Sequence, residues 1–256
     1  MRQFRRKFRA NSSGQLLIVA ALMIAILISS TTIYVYELSR ETNNVDSYPV
    51  SDVILAVRQS SKSTMISSLA NISKGGERAT LEVNLNHLSH VLGNLHQLGM
   101  YNLCFTVVND SRYDSGVCLS WNTSGSGVSS TCANFTLNVQ GIAANIAVNY
   151  AVNATTSVTI NGSYTRLEGE EKLVNLTCQV LNEEEPALFK NITLYYESHG
   201  SWIKVNSSNN LSMVDYGNGT YHLSFTVSLS SDVPVSTHVY DLRDVFVQAN
   251  TTCTEG

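Results

Sequence analysis

The residues best suited to chemistry in this 256-residue chain are acceptors rather than catalysts. The triplet Asn-x-Ser/Thr accepts N-linked glycans. It occurs at Asn11, Asn71, Asn109, Asn122, Asn134, Asn153, Asn161, Asn175, Asn191, Asn206, Asn210, Asn218 and Asn250, thirteen times among 24 asparagines. Ser and Thr fill about a fifth of the chain, so roughly five such triplets would arise by chance. Strand periodicity sharpens the excess. In "LVNLTCQV", Val174, Leu176, Cys178 and Val180 share one face, and Asn175 and Thr177 the other. "NITLYY" and "CANFTLNV" repeat the pattern, with Asn191 and Asn134 opposite the apolar rows. A glycan at these positions would project into solvent.

Five cysteines, Cys104, Cys118, Cys132, Cys178 and Cys253, all lie beyond residue 100 and form no CxxC pair. That excludes a zinc ribbon and suits an oxidising exterior. The odd count leaves one thiol over or makes an intermolecular bridge. His87 and His90 are one helical turn apart, with His96 nearby, but no carboxylate completes a metal triad, so they read as polar-face residues. "NEEEP" at 182–186 reads as a solvated acidic turn, with weak calcium binding the alternative. Trp121 and Trp202 read as core or strand-edge residues. HExxH, GxSxG, P-loop and GxGxxG patterns are absent, and "GSG" at 125–127 reads as a turn. No catalytic, cofactor-binding or metal-binding set emerges.

The elements that carry these residues follow from periodicity. From Tyr101 the period is two, and "YNLCFTVV", "GVCLSW", "CANFTLNV", "NIAVNYAVN" and "TSVTINGSYTRL" predict five strands. A Cys104–Cys118 bridge across the hairpin "NDSRYDSG" is sterically natural; Cys118–Cys132 and Cys104–Cys132 are the alternatives. "GEEK" at 169–172 marks a junction, and six or seven short strands follow, as in a β-sandwich. Upstream, helical periods run over "SDVILAVRQSSKSTMISSLANIS" and, after the "KGG" break, through Leu81, Leu85, Leu88, Leu92 and Leu95 to a Gly99 cap.

At the start, Arg2, Arg5, Arg6, Lys7 and Arg9 precede 22 uncharged residues, Gln15–Tyr36. The net charge of −4 becomes −9 without that basic tip, which argues against nucleic-acid binding. A helix of this length spans about 33 Å, enough for a hydrocarbon core. The flanking charges then place the N-terminus in the cytoplasm and the body outside. A cleaved secretory signal with an apolar segment Leu16–Ile28 is the rival reading.

"RRKFRANSSGQLLIVAALMIAIL" resembles the class III signal and N-terminal helix of archaeal type IV pilin-like proteins. The resemblance implies cleavage between Gly14 and Gln15, and a helix that packs in a filament and against a β-domain. Ser13 stands where a basic residue is usual, and Val19 where many pilins carry Glu. "DYGNGTYHLSF" resembles the turn and strand of immunoglobulin-like modules in prokaryotic surface proteins. Cys178 in an early strand and Cys253 in the last are placed to staple such a sandwich. Closing that loop would contribute about 4 kcal/mol.

The expected fold class is therefore α+β, a transmembrane or pilin-like helix and helical stalk followed by two antiparallel β-domains. Its divisions are a basic tip or leader (1–14), an apolar helix (15–37), a stalk (38–100), a β-domain (101–168) and an Ig-like sandwich (169–256). The expected location is a single-pass membrane anchor with an extracellular body, or an extracellular filament after leader cleavage. The expected function is a non-enzymatic, glycosylated cell-surface structural or adhesive protein, pilin-like or pilus-associated. Its expected partners are membrane lipid through residues 15–36 and copies of itself or other pilin-like subunits. The alternative is a membrane-anchored binding module for a solute or glycan.

Overall fold

The computed structural model describes residues 32, 50–94, 100–121, 124–140 and 145–256. Two helices are followed by twelve strands. The helices are α1 (Val50–Ser73) and α2 (Thr80–Gly93). The first four strands are β1 (Met100–Val107), β2 (Val117–Trp121), β3 (Ser126–Gln140) and β4 (Asn145–Arg166). Then come β5 (Glu171–Asn182), β6 (Glu185–Pro186), β7 (Phe189–Ser198) and β8 (Ser201–Lys204). The last four are β9 (Ser212–Asp215), β10 (Thr220–Ser228), β11 (Val233–Asp241) and β12 (Phe246–Glu255). Residues Ala56–Gly256 form one compact unit.

β4 organises this unit. Two strands are expected between 145 and 167, but β4 runs through both because nothing interrupts the period of two. Val152, Ala154, Thr156, Val158 and Ile160 are buried in alternation, and the link Ala154-Thr155 carries no turn residue. Along one edge β4 pairs with β3 from Asn145 to Thr159. Along the other it pairs with β5 from Thr156 to Arg166. The order then continues β5–β10–β9, all antiparallel. A second layer runs β8–β7–β11–β12. It joins β4 through a short parallel pairing, Thr254 with Ser163 and Glu255 with Tyr164.

Between the two layers lies an apolar core. Leu176, Val180, Leu223 and Phe225 meet Leu194, Val235, Val239 and Val247, and Val158, Ile160 and Tyr164 of β4 belong to the same cluster. Phe189 touches Tyr221 across the layers, with ring centroids 4.3 Å apart. The 169–256 segment is thus not a self-contained sandwich, because β4 supplies part of its core.

These arrangements correct the expected fold class. With 56% of the described residues in strands and 21% in helices, the protein is mostly β, and its strands share one connected sheet system. Among the described residues no helical stalk stands apart from it. Leu81 and Leu85 of α2 and Met65 and Leu69 of α1 are 0% exposed. Hydrogen bonds tie both helices down: Ser61 Oγ lies 3.0 Å from the Tyr150 hydroxyl, and Ser89 Oγ donates to the Leu103 carbonyl at 2.5 Å. The leucine period of α2 is a core face, with Leu81, Leu85 and Leu92 buried.

Among the described residues no helix is long and apolar enough to cross a membrane. The serines spaced along α1, with Arg58 and Lys62, keep it well short of that. The expected single-pass anchor and the locations built on it, membrane or filament, therefore find no support. The run Gln15–Tyr36 and the Gly14–Gln15 bond lie outside the described residues, as do Leu95, His96 and Gly99. α2 ends at Gly93 with Asn94 as its cap.

The turns on one side of the unit meet at a buried ion pair. Asp241, 0% exposed, accepts from the backbone N–H groups of Arg243 and Val245 through Oδ1. Its Oδ2 accepts from Thr156 Oγ1 at 3.0 Å and Arg243 Nε at 2.8 Å. Arg243 also donates to Glu183 of the β5–β6 turn and to the Thr155 carbonyl of β4. Lys62 of α1 lies 3.7 Å from Glu183.

If the helices are integral, Leu85→Ala will lower unfolding stability by about 2–5 kcal/mol. Urea unfolding measures this; a loss well under about 1 kcal/mol would restore the free-stalk picture.

Candidate functional site

Three segments converge on an open cleft of ≈ 490 Å³. The first is the turn after α1. Gly75 adopts φ +98 and donates to the Ile72 carbonyl, while Gly76 donates to that of Asn71. The left-handed residue ends the helix, a task suited to glycine. It leaves Lys74 and Arg78 on the cleft rim. The second segment is β2, with Leu119 and Trp121; the third is the β11–β12 corner, with Tyr240 and Phe246.

A chain of hydroxyls fixes the cleft floor. Trp121 Nε1 donates to Ser129 Oγ at 3.1 Å, and Ser129 Oγ donates to the Phe246 carbonyl at 2.7 Å. The Phe246 N–H donates to Ser73 Oγ at 3.0 Å, and Ser73 Oγ donates to the Ala70 carbonyl. Both backbone polar groups of Phe246 are thus held by serines on different elements. Trp121 meets Phe246 edge to face at 5.0 Å, Tyr240 lies 5.1 Å from Phe246, and His238 5.3 Å from it. Such contacts add about 0.5–1.5 kcal/mol each to simple burial.

The charges on the rim differ in their commitments. Arg78 Nη1 donates to the carbonyls of Asp114 and Val117 and lies 3.0 Å from Asp114 Oδ2. The Lys74 backbone N–H donates to the Asn71 carbonyl, and its ammonium makes no side-chain hydrogen bond or salt bridge among the described residues. Nearby Asp244 is held below the usual carboxylate range, chiefly by its 2.7 Å bond from Lys190 and more weakly by Lys74. Two cations thus line the cleft, and the carboxylates Asp114 and Asp244 interact with them without lining it.

The expected site residues are distributed as follows. Eleven sequon asparagines fall among the described residues; nine are exposed, and Asn175 and Asn250 are partly buried. Asn11 and Asn122 lie outside the described residues. Asn206 and Asn218 sit in turns where their own side chains accept from the N–H groups of Ser208 and Thr220. His87 and His90 are exposed on α2. Glu183 is paired with Arg243, which removes it from any calcium set. Trp202 lies on the edge strand β8, 49% exposed, whereas Trp121 lies in the cleft.

All five thiols are free, which corrects both expected disulfides. β1 and β2 do not form a hairpin. They line up end to end on the same edge of β3, so Cys104 faces Thr136 and Cys118 faces Ser130. Six residues of strand separate those partners, about 20 Å and far beyond bridging reach. Cys178 lies between Ile160 and Tyr221, while Cys253 packs on Gly162, which faces Leu176 instead. Both thiols are buried, and burial pushes each up to about 12.

Sequence reading passed over Lys74, Arg78, Tyr240 and Phe246. "KGG" was legible only as a break, and Tyr240 and Phe246 only as strand residues. The "DLRD" between them, with charge inside an apolar context, was the available signal for a fixed corner. No protein-family model matches the chain, and no curated protein sequence matches it.

In native protein at about pH 8, a dithionitrobenzoate reagent should label exposed Cys104 first and leave Cys178 and Cys253 untouched. In denaturant without reductant all five thiols should react. A denatured count of three would instead reveal a disulfide.

His238 offers a pH test. Burial lowers its pKa below 6.5. The unfolded chain therefore gains a proton near 6.5 that the folded chain resists. Its contribution is complete above 6.5 and shrinks as pH falls through that value toward the folded pKa. Urea midpoints should drop between about pH 7.5 and about pH 5.5, and His238→Asn should flatten that slope.

Proposed function

We propose that this chain is a non-enzymatic, glycosylated cell-surface protein with a structural or adhesive role. The observation that carries the reading is the placement of the sequons. All eleven among the described residues have an asparagine at least partly exposed: six on strands that bury their other residues in the core, four in turns or loops and Asn71 on α1. An excess of acceptor triplets at solvent-facing positions is hard to reconcile with a chain that never meets a glycosyltransferase. The N-terminal sequence also carries the pilin-like resemblance. That resemblance favours other copies of the chain, or related subunits, as partners.

A second reading rests on a separate observation, the cleft lined by Trp121 and Tyr240. Aromatic walls with a few polar groups on the rim are the usual make-up of a small-ligand site. In this reading the protein is a binding module for a solute or glycan.

Glycan mapping by mass spectrometry, on protein from its native source, tests the first reading. The turn sequons Asn109, Asn206 and Asn218 should carry glycan mass. Unmodified asparagine at every sequon would overturn it.

A further inference from the structure

We propose that the cleft between the α1–α2 turn and the β11–β12 corner binds an acidic saccharide, a sugar unit bearing a carboxylate. The inference rests on the binding-module reading and gives it a ligand class. Volume is the first argument. At ≈ 490 Å³ the cleft falls in the range of small-ligand sites and has room for one or two sugar rings. It is open to solvent, which suits the end or side of a glycan chain better than a fully enclosed solute.

Its walls supply the second argument. Trp121 is partly exposed, and its indole N–H is already satisfied by Ser129. Its role toward a ligand is therefore to offer ring surface, on which the C–H face of a pyranose can lie. Tyr240 is also partly exposed, and its hydroxyl has no hydrogen-bond partner among the described residues. A rigid ring with a spare hydroxyl presents both an apolar face and a polar tip. The ring positions are preorganised, because Ser73 and Ser129 pin the backbone of Phe246 beneath them.

Charge supplies the third. Lys74 and Arg78 line the cleft and no carboxylate does; Arg78 is paired with Asp114, which is not among the lining residues. The Lys74 ammonium forms no side-chain hydrogen bond or salt bridge among the described residues; it acts on Asp244 only through a weak charge interaction, and that carboxylate is bonded by Lys190. A ligand carboxylate would complete the rim through a charge-assisted hydrogen bond from the Lys74 ammonium. An acidic peptide could meet the same cation but has no C–H face to match the rings, so the saccharide is favoured.

The test uses Trp121 fluorescence in a Trp202→Phe background, since these are the only tryptophans. The probes are a galacturonic-acid trisaccharide, its uncharged methyl ester and an Asp/Gly peptide of equal charge. The acid should give a saturable change that weakens with salt, and the ester should bind about tenfold less tightly. Lys74→Ala, a change at an exposed position, should erase most of that difference. Equal binding of acid and ester would overturn the acidic specificity while leaving a saccharide-binding module. Tighter binding of the peptide would overturn the saccharide. No response to any probe would sink both the inference and the binding-module reading, and glycan mapping would still judge the structural reading separately.

Discussion

Asp241 places a carboxylate where no part of it meets solvent, and the unit is arranged around satisfying it. A buried carboxylate without partners costs several kcal/mol, so each of its oxygens must be bonded. The partners come from far apart in sequence: Thr156 on β4, and Arg243 and Val245 on the turn that Asp241 itself begins. Arg243 then needs acceptors, and finds Glu183 and the Thr155 carbonyl. Satisfying one charge thus brings together β4, the β5–β6 turn and the β11–β12 corner. The strained backbone of that turn, with Glu183 and Glu184 both at positive φ, is held in place by the same bonds. An ion network of this kind contributes less to net stability than to uniqueness, because misregistered packings would leave a charge bare.

Uniqueness at that corner matters because the cleft floor begins there. Tyr240 immediately precedes Asp241, and Phe246 follows Val245, whose N–H the same carboxylate holds. The two rings are therefore set by the hairpin's own lock. Close backbone approach adds to the precision. β3 crosses β12 at Gly127, where a Cβ would lie 2.0 Å from the Gln248 carbonyl oxygen. A glycine inside a strand often marks such a crossing.

Side-chain faces were legible in the sequence, and pairings were not. Alternation put Val174, Leu176, Cys178 and Val180 inside, and all four are buried. Phe135, Leu137 and Val139 behave likewise. These follow from the two-residue repeat of a strand, a local property. The β1–β2 hairpin failed because a short connection between two strands suggests direct pairing, while β3, long enough for both, outcompeted it. The continuity of β4 was hidden because two short strands and one long strand share the same alternation. The α2 seam is legible as a core face, Leu81 and Leu85 being buried; the separate stalk failed because an apolar seam does not say whether it faces a helix, a sheet or a partner. The cleft was least legible of all, since its residues are separated by more than 160 positions and meet only when the last strand is in place.

Ser73 belongs to two systems that exclude each other. As the third residue of the Asn71 triplet, its hydroxyl is what a glycosyltransferase must read. In the finished fold that hydroxyl is buried and held between Ala70 and Phe246, 173 residues downstream. The triplet is readable only before β12 docks. Any sugar on Asn71 would therefore record the order of events during synthesis, its presence meaning that modification outran closure of the sheet.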